Sequence, residues 1–100
     1  MFFLIAAAQL SVADLQDLRC VYVFQTAATA LKGTERSTLY GGQLWFEGRL
    51  SARQPKLNVS NYVIEHFTFR KVEVGDADLM RCSQAFTDWQ TADLAGKEHK

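Results

Sequence analysis

Two cysteines and two histidines are the residues of this 100-residue chain best suited to covalent or metal chemistry. Cys20 and Cys82 lie 62 positions apart, and the histidines are His66 and His99. A zinc site needs several ligands, usually with two of them closely spaced as in C-x-x-C or H-x-x-H. The chain has no such pair, so we expect no metal site, and no motif indicates a cofactor.

The two cysteines can be interpreted in three ways. As a disulfide they would join the first and last predicted helices, and closing a loop of this size contributes about 4 kcal/mol to stability. As free thiols they would be small buried residues of a cytosolic protein. A catalytic thiol paired with a histidine needs a third orienting group, which no motif supplies, so we expect a non-enzymatic protein.

A set of aromatic residues is the candidate face for a ligand or partner. Trp45, Tyr62 and Trp89 could line a pocket between helices, since such pockets are largely apolar and aromatic. Packing in the core, with the Arg49 stem covering it, is the other interpretation. The candidate residues of this face are Tyr40, Trp45, Phe46, Tyr62, His66 and Trp89.

Apolar residues at helical spacing predict a first helix that positions Cys20. It begins at Ser11, with Asp14 three residues later as in a capping box. Gly33 is expected to end it in a left-handed conformation, and Thr34 to cap the next helix.

The second predicted helix covers residues 35–52 and carries Trp45. Pro55 marks its end because proline cannot continue the hydrogen-bond ladder. Three glycines in or near its middle each cost about 1 kcal/mol relative to alanine, so we expect each to permit close packing or a kink. These are Gly41, Gly42 and Gly48.

Residues 59–74 fit two conformations. As a helix capped by Asn58, they continue to about Arg70, and an extended connection follows. As a strand, they form a β-branched and aromatic run over residues 67–74. We prefer the helix because a lone strand leaves its backbone unpaired.

Asp76 then caps a last helix, which Gly96 closes. The chain is therefore predicted to be an all-α four-helix bundle clamped by one long-range disulfide. The apolar N-terminus, with small residues at positions 6–8, is interpreted as a short or truncated signal peptide over residues 1–8, followed by one domain over residues 9–100. The alternative is an apolar first turn that packs on the core.

Charge and hydropathy exclude some partners. Eleven basic residues balance eleven acidic ones, so the chain lacks the positive field that nucleic-acid binding requires. Polar residues from Gln9 onward interrupt the apolar start far short of about 20 residues, so no stable membrane span is expected. We expect a protein partner or a homo-oligomer instead.

The chain resembles small uncharacterised exported bacterial helical proteins. The resemblance lies in the cysteine positions, in the Gly48-Arg49-Leu50 run leading to Pro55, and in the last helix starting at Asp76. The topology also resembles the Hde-type periplasmic acid-stress chaperones, which are small, helical and joined by one disulfide. The first resemblance implies export and a bond between Cys20 and Cys82; the second implies client binding.

The functional expectation is an exported, periplasmic or secreted, non-enzymatic protein that binds another protein or itself, with chaperone-like activity as one form. A cytoplasmic location is the alternative if the thiols are free. The alternative function is a small-ligand binding module with an aromatic pocket between helices.

Overall fold

The computed structural model describes the backbone of residues 9–98 and the side chains of residues 9–92. This part of the chain contains four helices and no strand, which confirms the predicted all-α four-helix bundle. The predicted signal peptide and His99 lie outside the described residues. In order, the helices are α1 (Val12–Ala28), α2 (Gly33–Arg53), α3 (Val59–Val63), which continues as a π-helical turn (Ile64–Thr68), and α4 (Asp76–Glu98).

Helix α1 forms the centre of the bundle. Its start is the predicted capping box: the Ser11 hydroxyl accepts from the Asp14 N–H, and the Asp14 carboxylate accepts from the Ser11 N–H. The helix ends at Ala28, earlier than predicted. Gly33 has the expected left-handed backbone, with φ 64°, but it lies at the start of α2 instead of the end of α1.

Helix α2 begins after Lys32, which has an extended backbone. The Lys32 side chain makes no capping hydrogen bond to the helix. The prediction that Thr34 caps this helix is therefore wrong. Its end is as predicted: the Gln54 N–H donates to the Leu50 carbonyl, and Pro55 follows in the sequence.

Only one of the three α2 glycines permits a close approach. A Cβ at Gly42 would overlap the Phe24 ring of α1, whereas nothing lies within 4 Å of a Cβ at Gly41 or Gly48. Gly42 therefore lets α2 lie directly against α1, and the expectation of close packing is wrong for the other two.

The helical interpretation of residues 59–74 is confirmed as far as Thr68. The Asn58 side chain accepts from the Asn61 N–H and caps α3 as predicted. The π-helical turn then closes with a bond from the Phe69 N–H to the Ile64 carbonyl. An irregular connection leads on to α4.

Helix α4 runs through Gly96 to Glu98, so Gly96 does not end it. At its start the Asp78 carboxylate accepts from the Gly75 N–H. Asp76, the predicted cap, is instead the first residue of the helix. No helix in the described part of the chain is both long and apolar enough to cross a bilayer.

The predicted disulfide between Cys20 and Cys82 joins α1 to α4. Both cysteines are buried among the apolar side chains of all four helices. The core consists of Leu18, Cys20, Val21, Tyr22, Val23, Phe24, Phe46, Leu50, Val59, Val63 and Cys82.

Candidate binding cleft

An ion-pair network fixes how α2 lies against α1. Asp14 and Asp17 are buried on α1, and Arg53 of α2 donates to both, at 2.7 Å and 2.6 Å. The Gln54 amide donates to Asp14 at 2.9 Å, and Arg49 lies 3.4 Å from Asp17. Each buried carboxylate thus has a guanidinium partner, as buried charges require.

These bonds keep Asp14 ionised. The N–H of Ser11, then Arg53 and then Gln54 lower the pKa of the Asp14 carboxyl far below its usual range, and burial opposes them only in part. A carboxylate that holds no proton near neutral pH cannot serve as a general acid, and a very low pKa makes it a poor base. The network is therefore a structural clamp between two helices.

A second clamp fixes α4. The Arg19 guanidinium of α1 donates to both oxygens of Asp78, at 2.9 Å and 3.0 Å, in a bidentate pair. This guanidinium and the Gly75 N–H lower the pKa of Asp78 to about 2. Together with the disulfide, the pair holds the first half of α4 on α1.

The space between α2 and α4 contains an aromatic cluster, which consists of Phe24, Trp45, Phe46, Phe86 and Trp89. The Trp45 ring is the hub: its centroid lies 4.7 Å from that of Phe46, 5.4 Å from Phe86 and 5.1 Å from Trp89. Phe46 also contacts Phe24 edge to face, at 5.6 Å. The Arg49 guanidinium lies over the Trp45 ring at 4.6 Å, a cation–π contact.

A cleft opens beside this cluster, and we call it the α2–α4 cleft. Its volume is about 160 Å³. Phe24, Leu39 and Phe86 provide apolar walls, and short polar side chains complete the lining. The lining residues are Phe24, Thr38, Leu39, Ser83, Phe86, Thr87 and Gln90.

The other rings form a second cluster around Tyr22, on the side of α3. Phe67 stacks on Tyr22 at 5.2 Å, and His66 stacks on Tyr62 at 3.9 Å. The Tyr62 and Phe67 rings contact each other at 6.4 Å, which links the two pairs. The His66 Nδ1 lies 3.1 Å from the Tyr62 carbonyl oxygen, so a local partner satisfies it.

The structure divides the predicted aromatic face. It brings Trp45 and Trp89 together beside the cleft, and Trp89 keeps 44% of its surface exposed. Phe46 is buried in the core, and Tyr62 and His66 belong to the Tyr22 cluster. Tyr40 lies exposed on α2 beneath the Arg36 guanidinium, in neither cluster.

Sequence reasoning did not identify the polar cleft residues Thr38, Ser83, Thr87 and Gln90. No motif marks them, but Thr38, Ser83 and Thr87 each lie next to Leu39, Cys82 or Phe86 in the sequence. It also missed that Arg53 would pair with two buried aspartates. Two carboxylates one turn apart on an otherwise apolar α1 face were an available signal.

Other polar groups lie outside the cleft. Burial raises the pKa of Glu47, and the Oε1 atom of Gln43, one turn earlier, is buried without a hydrogen-bond partner among the described residues. Neither residue lines the cleft.

The cysteines have no catalytic capacity in this state. Both are consumed in the disulfide and are buried, so neither offers the thiolate that nucleophilic chemistry needs. The apolar α2–α4 cleft is therefore the candidate functional site, and its arrangement is suited to binding.

Comparison of the chain with known proteins gave no match to a protein-family model, to a curated protein or to a solved structure.

Proposed function

We propose that this is an exported, non-enzymatic protein that binds another polypeptide by accepting one of its apolar side chains in the α2–α4 cleft. The observation that carries the proposal is the cleft itself, with a volume of about 160 Å³, apolar walls and a short polar rim. Protein interfaces concentrate their binding energy in such places, where one anchor side chain fills one apolar pocket.

The size of the cleft favours a side chain over a small molecule. Ligand pockets usually enclose about 300 to 1,000 Å³, whereas a cavity of about 150 Å³ is enough for a benzene ring. Exposed apolar surface beside the cleft supports the same choice, because Trp89 is 44% exposed. The small-ligand alternative would need a pocket reaching Tyr62, which belongs to the other aromatic cluster.

The disulfide supports the export part of the proposal. Disulfides persist in oxidising compartments and are rare where cytosolic reductants keep thiols free. The intact mass of the protein from its native compartment, before and after reduction under denaturing conditions, tests this part. We expect a rise of about two daltons, one hydrogen for each sulfur of the broken bond. Recovery with two free thiols would contradict export.

Selection of random peptides displayed on phage against the oxidised protein tests the binding part. Both tryptophans of the chain lie beside the cleft, so titration of a selected peptide can be followed by tryptophan emission. We expect selected peptides to share an apolar residue, and Thr87→Phe, which places a ring in the cleft, to weaken their binding at least tenfold.

Ser51→Phe is the matched control, because it adds the same ring to an exposed position of α2 that does not line the cleft. It should leave peptide binding unchanged. Equal binding by the Thr87→Phe variant, or no enrichment of apolar peptides, would refute the proposal. Enrichment for hydrophobicity alone, without a common sequence, would identify the chaperone-like form of the function.

A further inference from the structure

Residues 58–60, Asn-Val-Ser, form an Asn-X-Ser/Thr sequon, the sequence at which exported proteins receive N-linked glycans. The middle residue is Val59, so the proline that would prevent the modification is not there. A match of three residues is common by chance, and its place in the folded protein decides its significance. An acceptor asparagine belongs on the surface of a secreted protein, and its amide nitrogen must be accessible.

The sequon lies on the surface, where the chain passes from α2 into α3. Asn58 and Ser60 are both exposed, as are Pro55 and Lys56 just before them. Val59 lies between the two polar residues, is only 8% exposed and belongs to the core. The buried middle residue therefore holds this segment in place, while the two residues that the modification requires stay in solvent.

The side-chain amide of Asn58 leaves its nitrogen open for attachment. Its Oδ1 atom accepts from the Asn61 N–H at 3.0 Å and caps α3. Its Nδ2 atom lies on the opposite side of the amide group and donates to no other described residue. An N-linked sugar replaces one hydrogen of Nδ2 and leaves Oδ1 unchanged, so Asn58 can carry a glycan and still cap the helix.

A second asparagine in the same helix lacks the required sequence. Asn61 is also exposed, but Val63 stands at the position where a sequon needs a hydroxyl group. Asn58 and Asn61 are the two asparagines of the chain. The protein therefore contains its own comparison, because exposure is common to both residues and only Asn58 has the sequence.

The disulfide favours the compartment in which this modification takes place. The bond between Cys20 and Cys82 is typical of a protein that leaves the cytosol, and N-linked glycans are attached to such proteins. The two signals lie on different helices and concern different chemistry. Their agreement supports the sequon more than its three residues do alone.

We propose that Asn58 is an N-glycosylation site whose sugar donor is an oligosaccharide linked to a polyprenyl diphosphate. Nδ2 of Asn58 forms a bond to the anomeric carbon of the first sugar and loses one proton. The bond from that carbon to the diphosphate oxygen breaks, and the polyprenyl diphosphate leaves with the electron pair. The inference rests on the export part of the proposed function, because only exported proteins meet this donor.

The glycan lies at the opposite end of α2 from the cleft. Asn58 follows the end of α2 at Arg53, whereas Thr38 and Leu39 of the cleft lie near its start. The helix between Leu39 and Arg53 is about 21 Å long. A glycan at Asn58 should therefore leave polypeptide binding in the α2–α4 cleft unchanged.

Mass spectrometry of the protein recovered from its native compartment tests the site. Trypsin should release residues 57–70 as one peptide, since it cleaves after Lys56 and Arg70, and this peptide contains both asparagines. We expect the intact protein to be heavier than its polypeptide chain by one oligosaccharide, and fragmentation of the peptide to place the sugar on Asn58. Recovery of this peptide without sugar would refute the proposal.

Variants expressed in the same host identify the residues that the modification requires. Asn58→Gln should lose the glycan, but it also removes the cap of α3. Ser60→Ala is the sharper variant, because it breaks the sequon and keeps Asn58, and it should lose the glycan as well. Ser60→Thr restores a hydroxyl and should keep the glycan. Asn61→Gln is the matched control and should also keep it, whereas a glycan that persists in Ser60→Ala would contradict the sequon.

The outcomes separate this inference from the proposed function. Disulfide-bonded protein without a glycan would refute glycosylation at Asn58 and leave export in place. Two free thiols without a glycan would refute both. If the protein carries the glycan while its Thr87→Phe variant still binds the selected peptides, the Asn58 site is supported and the binding role of the cleft is wrong.

Discussion

At the scale of residues, the stability of the protein depends on two buried aspartates that pair with the same arginine. Asp14 and Asp17 are 1% and 5% exposed, and Arg53 forms an ion pair with each of them. Burying an ion pair is close to neutral in free energy, but removing one partner leaves an uncompensated charge that costs about 3 to 5 kcal/mol. Arg53 should therefore matter far more than the arginines of the surface.

Arg53→Met should lower the free energy of unfolding by about 2 kcal/mol, because the buried Asp14 loses its guanidinium donor and Asp17 keeps only the longer pair with Arg49. Urea denaturation followed by far-UV circular dichroism measures the change. Arg81→Met is the control: its pair with Asp78 is long, at 3.4 Å, and the Arg81 side chain is 54% exposed, so its loss should cost less than about 1 kcal/mol. Similar losses in both variants would contradict a buried clamp.

Acid should weaken the clamp between α1 and α4. The pKa of Asp78 is lowered from 3.8 to about 2, chiefly by Arg19 and then by the Gly75 N–H. Between these values the unfolded state binds more protons than the folded state, so stability falls as the pH falls. This contribution is present in full above about pH 4 and is lost as the pH falls through the folded pKa of about 2.

Thermal denaturation of the wild type and Asp78→Asn at pH 5, 4, 3 and 2 checks this expectation. The variant should be less stable at pH 5, and the difference from the wild type should shrink toward pH 2. A difference that stays constant over the series would show that Asp78 does not carry this dependence.

At the scale of elements, one glycine sets how closely two helices approach. Helix α2 lies against α1 where Gly42 faces the Phe24 ring, and that ring also packs edge to face on Phe46, one turn later on α2. A glycine inside a helix costs about 1 kcal/mol relative to alanine, so it is retained here because of the contact that it permits.

Gly42→Ala should lower the free energy of unfolding by about 1 to 3 kcal/mol, because the added methyl group displaces a buried ring. Gly41→Ala and Gly48→Ala are matched controls in the same helix, with nothing within 4 Å of the new Cβ. Each should stabilise the protein by about 0.5 to 1 kcal/mol through helix propensity. Denaturation curves of the three variants decide the matter, and a stabilising Gly42→Ala would contradict the close approach.

At the scale of the whole molecule, the disulfide compensates for the limited packing of a small, open helical bundle. The molecule measures 49 × 37 × 21 Å, and its radius of gyration is 14.9 Å, against about 13 Å for a compact domain of this length. Helix α4 packs less extensively on α1 and α2 than those two helices pack on each other, and the cleft lies beside α2. The bond from Cys20 to Cys82 keeps α4 in place.

Replacement of both cysteines by alanine should lower the free energy of unfolding by about 4 kcal/mol, since the unfolded chain regains the entropy of a 62-residue loop. Chemical denaturation with and without reductant measures this change. Reductant should destabilise the wild type by a similar amount and leave the double variant unaffected. A loss below about 1 kcal/mol would mean that the apolar contacts of α4 suffice.

Much of the fold followed from the sequence because its signals are local. Ser11 with Asp14 marks a capping box, Asn58 caps α3, and Pro55 ends α2, and each depends only on residues within one turn. Apolar residues at helical spacing likewise predicted α1, which carries Cys20. The failures, at Gly33, Thr34 and Gly96, lie at helix ends, which local sequence signals define least precisely.

The candidate site depends on contacts between residues that are far apart in the sequence, and only the tertiary structure determined those contacts. The sequence indicated that Trp45 and Trp89 are core or interface residues, but the angle between α2 and α4 determines that a cleft opens beside them. Whether Arg53 points to solvent or to two aspartates on α1 depends in the same way on helix register. Local propensity fixes the helices, whereas the packing of side chains far apart in the chain fixes the surface that they leave open.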